Sequence, residues 1–182
     1  GDIAVSGAGR TDAGVHALGQ VVTLTAASRL VPSAVQAALN AHLPREIRVS
    51  AVADAAPGFD ARRRARGKRY VYLIDNGAVA APLLLRYAWH RPVPLDLVAL
   101  RKALAAAHGR HDFSAFCAAA GRDVEPHCQV RSVHVRTRRS LVAIVISADR
   151  FLHHMVRNLV GSAVEVGRGA QPPGWLAEIL QA

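Results

Sequence analysis

Three features of the 182-residue sequence predict an α+β fold. A strand–loop–strand pattern stands near the start, a hairpin pattern lies past the middle, and helical spacings fall between and after them. Ile3 to Val5 reads as a strand, so the chain is expected to begin inside a fold and to be a partial one. A Gly-rich loop from Gly7 to His16 leads into a β-branched run at 20–25. Pro32 opens a segment with Val35, Leu39 and Leu43 at helical spacing, and Pro44 closes it. Ile47, Val49 and Ala51 alternate with small or polar residues, as do Tyr70, Tyr72 and Ile74, and both segments read as strands. Pro82, Pro92 and Pro94 punctuate a connection, after which Asp96 caps a helix carrying Leu97, Leu100 and Leu104 and ending before Gly109. Alternation at 131–136, a turn at 138–140 and the apolar run 141–147 predict an antiparallel hairpin. An apolar helix face follows, with Phe151, Met155, Leu159 and Ala163 ending near Gly167, and a short terminal helix comes after the linker 171–174. The expected division is two lobes, 1–91 and 92–182.

Composition narrows the function. Hydrophobic residues make up 51% and charged residues 20%, which excludes a disordered chain. The longest apolar run, Leu141 to Ile146, falls far short of the ~20 residues that span a bilayer, so no membrane partner is expected. The first residues lack a secretory pattern and the two cysteines, Cys117 and Cys128, are too few for a disulfide framework, so a cytoplasmic location is expected. The formal charge of +10, with Arg supplying nearly all of the 23 cations, points to a polyanionic partner. Arg-rich composition can also follow from a GC-rich genome, and charge alone does not separate the two.

The loop around Asp12 is the most unusual local sequence. It holds three glycines, Arg10, Asp12 and His16 between two strands. A carboxylate there, beside Arg10, can serve as nucleophile or base; the bland reading is a turn whose Asp bonds its own backbone. A nucleotide-phosphate loop is disfavoured because no Lys follows the glycines. Tyr70 and Tyr72 share a strand face, so either can fill core. Arg157 lies on an apolar helix, where a snorkelling arginine is the bland reading. The run Arg62, Arg63, Arg64, Arg66, Lys68 and Arg69 places six cations in eight residues, as a solvated loop or a phosphate-contacting one. His153 with His154, His108 with His111, and His127 with Cys128 form no four-ligand set, and adjacent histidines on a helix point apart, so no metal is expected.

The stretch Gly9-Arg10-Thr11-Asp12-Ala13-Gly14-Val15-His16-Ala17 resembles the signature of the TruA family of tRNA pseudouridine synthases. Phe59-Asp60-Ala61-Arg62, Arg69-Tyr70-Val71-Tyr72, Asp112-Phe113-Ser114-Ala115-Phe116 and the run from Phe151 to Asn158 resemble further blocks of that family in the same order. Its Tyr-Asp-Gly and Trp-Gln blocks upstream, and its closing block downstream of Trp175, are absent.

The resemblance implies the pseudouridine synthase fold: two similar lobes with mainly antiparallel sheets, helices on one side and a basic cleft between. It implies isomerisation of uridine to pseudouridine in the anticodon arm of tRNA, without cofactor, by an enzyme that is a homodimer when full length. Asp12 would be catalytic. Tyr70 would contact the uracil, and Arg10, Arg62 and Arg157 would bind substrate, with Arg157 approaching the Asp12 carboxylate. Arg63, Arg64, Arg66, Lys68 and Arg69 would hold RNA backbone. A binding or remodelling domain without catalysis is the alternative, but it needs the cations and not the carboxylate. A phosphotransferase with an Asp nucleophile would need clustered acids for Mg²⁺, and only Asp2 is near in sequence.

Overall fold

The computed structural model describes residues 3–118 and 124–182. Asp2 lies outside them. The mixed α+β architecture divides into two compact units, residues 1–65 and 66–182.

In the N-terminal unit, β1 (Ala4–Gly7) and β2 (Val22–Thr25) form an antiparallel pair, with Val5 opposite Leu24. The helix α1 (Pro32–His42) starts at Pro32, whose missing N–H costs nothing at a helix's first position. A one-turn helix, α2 (Ala61–Arg64), is capped by the Asp60 carboxylate. Among the described residues, Ala61 is the only buried apolar residue of this unit; Val5 and Val22 are at least half exposed.

The expected strand at Ile47 to Ala51 is not one. Its backbone is satisfied by side chains of α1 instead: Asn40 Nδ2 donates to the Val49 carbonyl at 2.9 Å and Asn40 Oδ1 accepts from the Val49 N–H at 2.8 Å. Gln36 Nε2 donates to the carbonyls of Val49 and Ser50 at 3.0 and 2.9 Å. Two amide side chains one helical turn apart thus replace a neighbouring strand.

The C-terminal unit is built on a five-stranded sheet in the order β4-β3-β7-β6-β5, from β3 (Lys68–Asp75), β4 (Ala88–His90), β5 (Gly109–Asp112), β6 (His127–Arg138) and β7 (Leu141–Ala148). The predicted hairpin is β6–β7, turned by Arg139 at φ 54°. β3 pairs along its whole length with β7, antiparallel, and also with the short parallel strand β4, which the sequence reading did not anticipate; nor did it anticipate β5. That pairing places the Tyr70 strand in the C-terminal unit and sets the division at 65/66, which differs from the expected 91/92.

On one face of the sheet, Ile74, Val130, Val142, Ile144 and Ile146 are buried against α3 (Leu97–Ala105) and α4 (Met155–Gly167). Asp96 caps α3 by accepting from the N–H groups of Val98 and Ala99, and its own N–H donates to the Gly167 carbonyl at 2.6 Å. A Cβ on Gly167 would stand 3.3 Å from Leu100 Cβ, so glycine sets how closely α3 and α4 pack. The chain ends in α5 (Trp175–Gln181), anchored by buried Leu176. No helix among the described residues is long and apolar enough to cross a membrane.

Candidate active site

Within the N-terminal unit, the β1–β2 pair presents the loop that carries Arg10 and Asp12, both exposed. The loop is closed at its base by the Ala8 N–H donating to the Val21 carbonyl at 2.8 Å and by Gln20 Nε2 donating to the Gly9 carbonyl at 2.7 Å. At its tip the Val15 N–H returns to the Asp12 carbonyl at 3.0 Å, and Gly14 takes φ 78°, a conformation that favours glycine. The loop is therefore a tied turn that carries Asp12 at its tip.

Asp60 joins the basic run to this scaffold. Its carboxylate accepts from the Arg63 N–H at 2.8 Å and from Ser6 Oγ, on β1, at 3.0 Å. The Arg63 N–H and then the Ser6 hydroxyl hold the Asp60 carboxyl below its ordinary pKa. The neighbouring Ala61 N–H donates to Thr23 Oγ1 on β2 at 2.8 Å. α2 is thereby fastened to both strands that carry the Asp12 loop. The sequence reading gave Asp60 no role, although Asp directly before Ala-Arg-Arg-Arg has the form of a helix cap.

In the C-terminal unit, Tyr70 and Tyr72 lie on the helix-facing side of β3, both half-buried. The Tyr70 ring meets Phe151 edge-on, with centroids 4.9 Å apart, and Tyr72 meets Trp89 edge-on at 6.4 Å. Burial raises the Tyr72 hydroxyl's pKa, and the Arg157 charge opposes that rise, so the α4 guanidinium acts on this aromatic face. Arg157, the third residue of α4, is exposed, and its neighbour Asn158 donates from Nδ2 to the Phe116 carbonyl at 2.8 Å. The helix starts four residues later than Phe151 because His154 takes the left-handed conformation at φ 61°. Consequently His153 and His154 do not diverge as helix neighbours would; their rings lie against each other at a tilt of 34° with centroids 3.9 Å apart. His111 bonds the His108 carbonyl at 2.9 Å and His127 meets Glu125 at 2.6 Å, while Cys128 is buried.

The predicted residues thus fall into two groups. Arg10, Asp12 and Arg62 to Arg64 are in the N-terminal unit, and Arg66, Lys68, Arg69, Tyr70 and Arg157 are in the C-terminal one.

A sequence profile described as tRNA pseudouridine synthase matches residues 1–62 and 103–182, taking in the Asp12 loop, Asp60 and the whole of α4. The chain belongs to the tRNA pseudouridine synthase family. Curated relatives carry the resemblance across the intervening β3 and β4. The tRNA pseudouridine synthase A of Myxococcus xanthus is 44% identical over 98% of this chain and 68% of its own length. That of Moorella thermoacetica is 41% identical over 96% of this chain and 71% of its own. A third, from an Enterobacter strain, is 41% identical over 99% and 67%. Membership of this tRNA pseudouridine synthase family makes the protein an isomerase.

Proposed function

We propose that this protein isomerises uridine to pseudouridine in the anticodon arm of tRNA, with Asp12 as the catalytic residue. The observation that carries the reading is the Asp12 loop: an exposed carboxylate, fastened through β1, β2 and Asp60, inside the segment that matches the family. The reaction breaks the N1–C1′ bond, turns the base and forms the C5–C1′ bond; C5 loses a proton and N1 gains one, so no atom is gained or lost. A carboxylate attacks or electrostatically supports the electron-poor C1′. The base must leave its stack to be reached, and the Tyr70 ring, braced by Phe151, offers it a surface. In this reading Arg10, Arg62 and Arg157 bind and orient substrate. Arg63, Arg64, Arg66, Lys68 and Arg69 contact phosphates, which positions RNA without reading sequence. The same reading makes the working enzyme a cytoplasmic homodimer.

Tritium release from RNA labelled at uridine C5 tests the substrate assignment. Label released from an anticodon-arm hairpin, and not from a hairpin of another tRNA arm, supports it. Equal release from both would remove the anticodon-arm assignment.

A further inference from the structure

Where β3 begins and β7 ends, the C-terminal sheet carries a recess of about 390 Å³ lined by Arg66, Gly67, Lys68, Arg69, Arg131 and Ser147. Its charged lining residues are all cations. The nearest acid in sequence, Asp149, is bonded to backbone, accepting from the N–H groups of Gln129 at 2.9 Å and Arg150 at 2.6 Å. Like charges gathered in this way repel, and specific contacts hold them. Arg131 Nη2 donates to the Arg66 carbonyl at 2.8 Å, and Arg69 Nε donates to Ser147 Oγ at 3.2 Å. A Cβ on Gly67 would stand 2.7 Å from the Ala148 carbonyl oxygen and 3.1 Å from Arg131 Nη1, so only glycine lets this turn lie against the strand end. Arg131 sits in the ladder irregularity between Val130 and Ser132, the kind of bulge that re-aims a side chain.

We propose that this recess is a phosphate subsite in which Arg131 and the Ser147 hydroxyl join Arg66, Lys68 and Arg69 in holding a backbone phosphodiester of bound RNA. The inference rests on the reading that RNA is the substrate, and adds two residues and a geometry to it. Arg131 has two tasks: one arm of the guanidinium clasps the Arg66 turn, and its charge faces the anion. Lys68 stands two residues before Tyr70 on β3, while Arg69 and Ser147 are on the sheet face opposite that ring, so a phosphate fixed here holds RNA at the end of the strand that carries Tyr70.

The test is equilibrium binding of an unmodified tRNA transcript to the full chain across a salt series. For Arg131→Gln, affinity should fall about tenfold and the slope of log affinity against log salt should shrink by about one. Gly67→Ala, which removes no charge, should also weaken binding because the turn must move. Should Arg131→Gln not fold by circular dichroism, Ser147→Ala provides the second reading, with a loss of about threefold expected. Wild-type affinity and slope in Arg131→Gln, or in Ser147→Ala where that stands in, would overturn the subsite while wild-type pseudouridine formation left the family reading intact. A wild-type chain that neither binds tRNA nor converts uridine would overturn both. Inorganic pyrophosphate forms the second arm: tight pyrophosphate binding lost in Arg131→Gln, with tRNA binding unaffected, would assign the recess to a free polyphosphate and refute the RNA contact.

Discussion

Tyr70 illustrates how much one side chain's environment constrains its role. Its ring is fixed by the edge contact with Phe151, so Tyr70→Phe keeps the packing and removes only the hydroxyl. If that hydroxyl takes part in proton transfer from C5, turnover should fall by about a hundredfold or more while RNA affinity changes little, measured by pseudouridine yield and filter binding. Retained turnover would reduce Tyr70 to a stacking platform. Asp60 makes a prediction about pH. Its carboxyl is held below the ordinary value, so its ionised form stabilises the fold above the unfolded pKa near about 4, and that contribution is lost as pH falls through the lower folded value. Asp75, buried at the end of β3 and accepting from the Ala81 and Gly77 N–H groups, shifts the same way. Urea unfolding should therefore show stability falling below about pH 4, and Asp60→Asn, which still caps α2, should flatten part of that fall. At this scale the sequence was legible where chemistry demands a rare pattern, as at Asp12. It was illegible where a common residue acts through the fold, as with Asp60, Ser6 and Arg131.

Among the elements, α4 and the segment at 47–51 mark the two extremes. α4 could be read from its apolar spacing, and Leu159 on that face is fully buried. Leu159→Ala should cost about 2–5 kcal/mol in chemical denaturation, because the sheet side of the core cannot collapse into the space left. The alternation at Ile47, Val49 and Ala51 predicts extended backbone, but period two does not say what satisfies that backbone. Here Asn40 and Gln36 do so from α1, a partnership that depends on two amides lying one turn apart and not on the alternating segment itself. Asn40→Leu should loosen 47–51, seen as faster amide exchange at Val49, with little change in the C-terminal sheet. β4 and β5, three and four residues long, were too short to show a period.

Over the whole molecule, the α+β class followed from element types, whereas the unit boundary depended on which strand β3 chose as its partner, a long-range pairing with β7 that no local pattern encodes. Burial is unequal between the units: among the described residues, those of the core, Ala61 apart, are in 66–182. Amides of β1 and β2 should accordingly exchange with solvent well before those of β6 and β7. The charge of +10 acts at the same scale, and the logarithm of tRNA affinity should fall linearly with the logarithm of salt. The central claim, that uridine is isomerised by a carboxylate on the Asp12 loop, is tested most directly by comparing wild type with Asp12→Asn in tritium release from C5-labelled anticodon-arm RNA, with RNA binding measured alongside. The account predicts that turnover falls at least about a thousandfold while binding survives; turnover near the wild-type level in Asp12→Asn would contradict it.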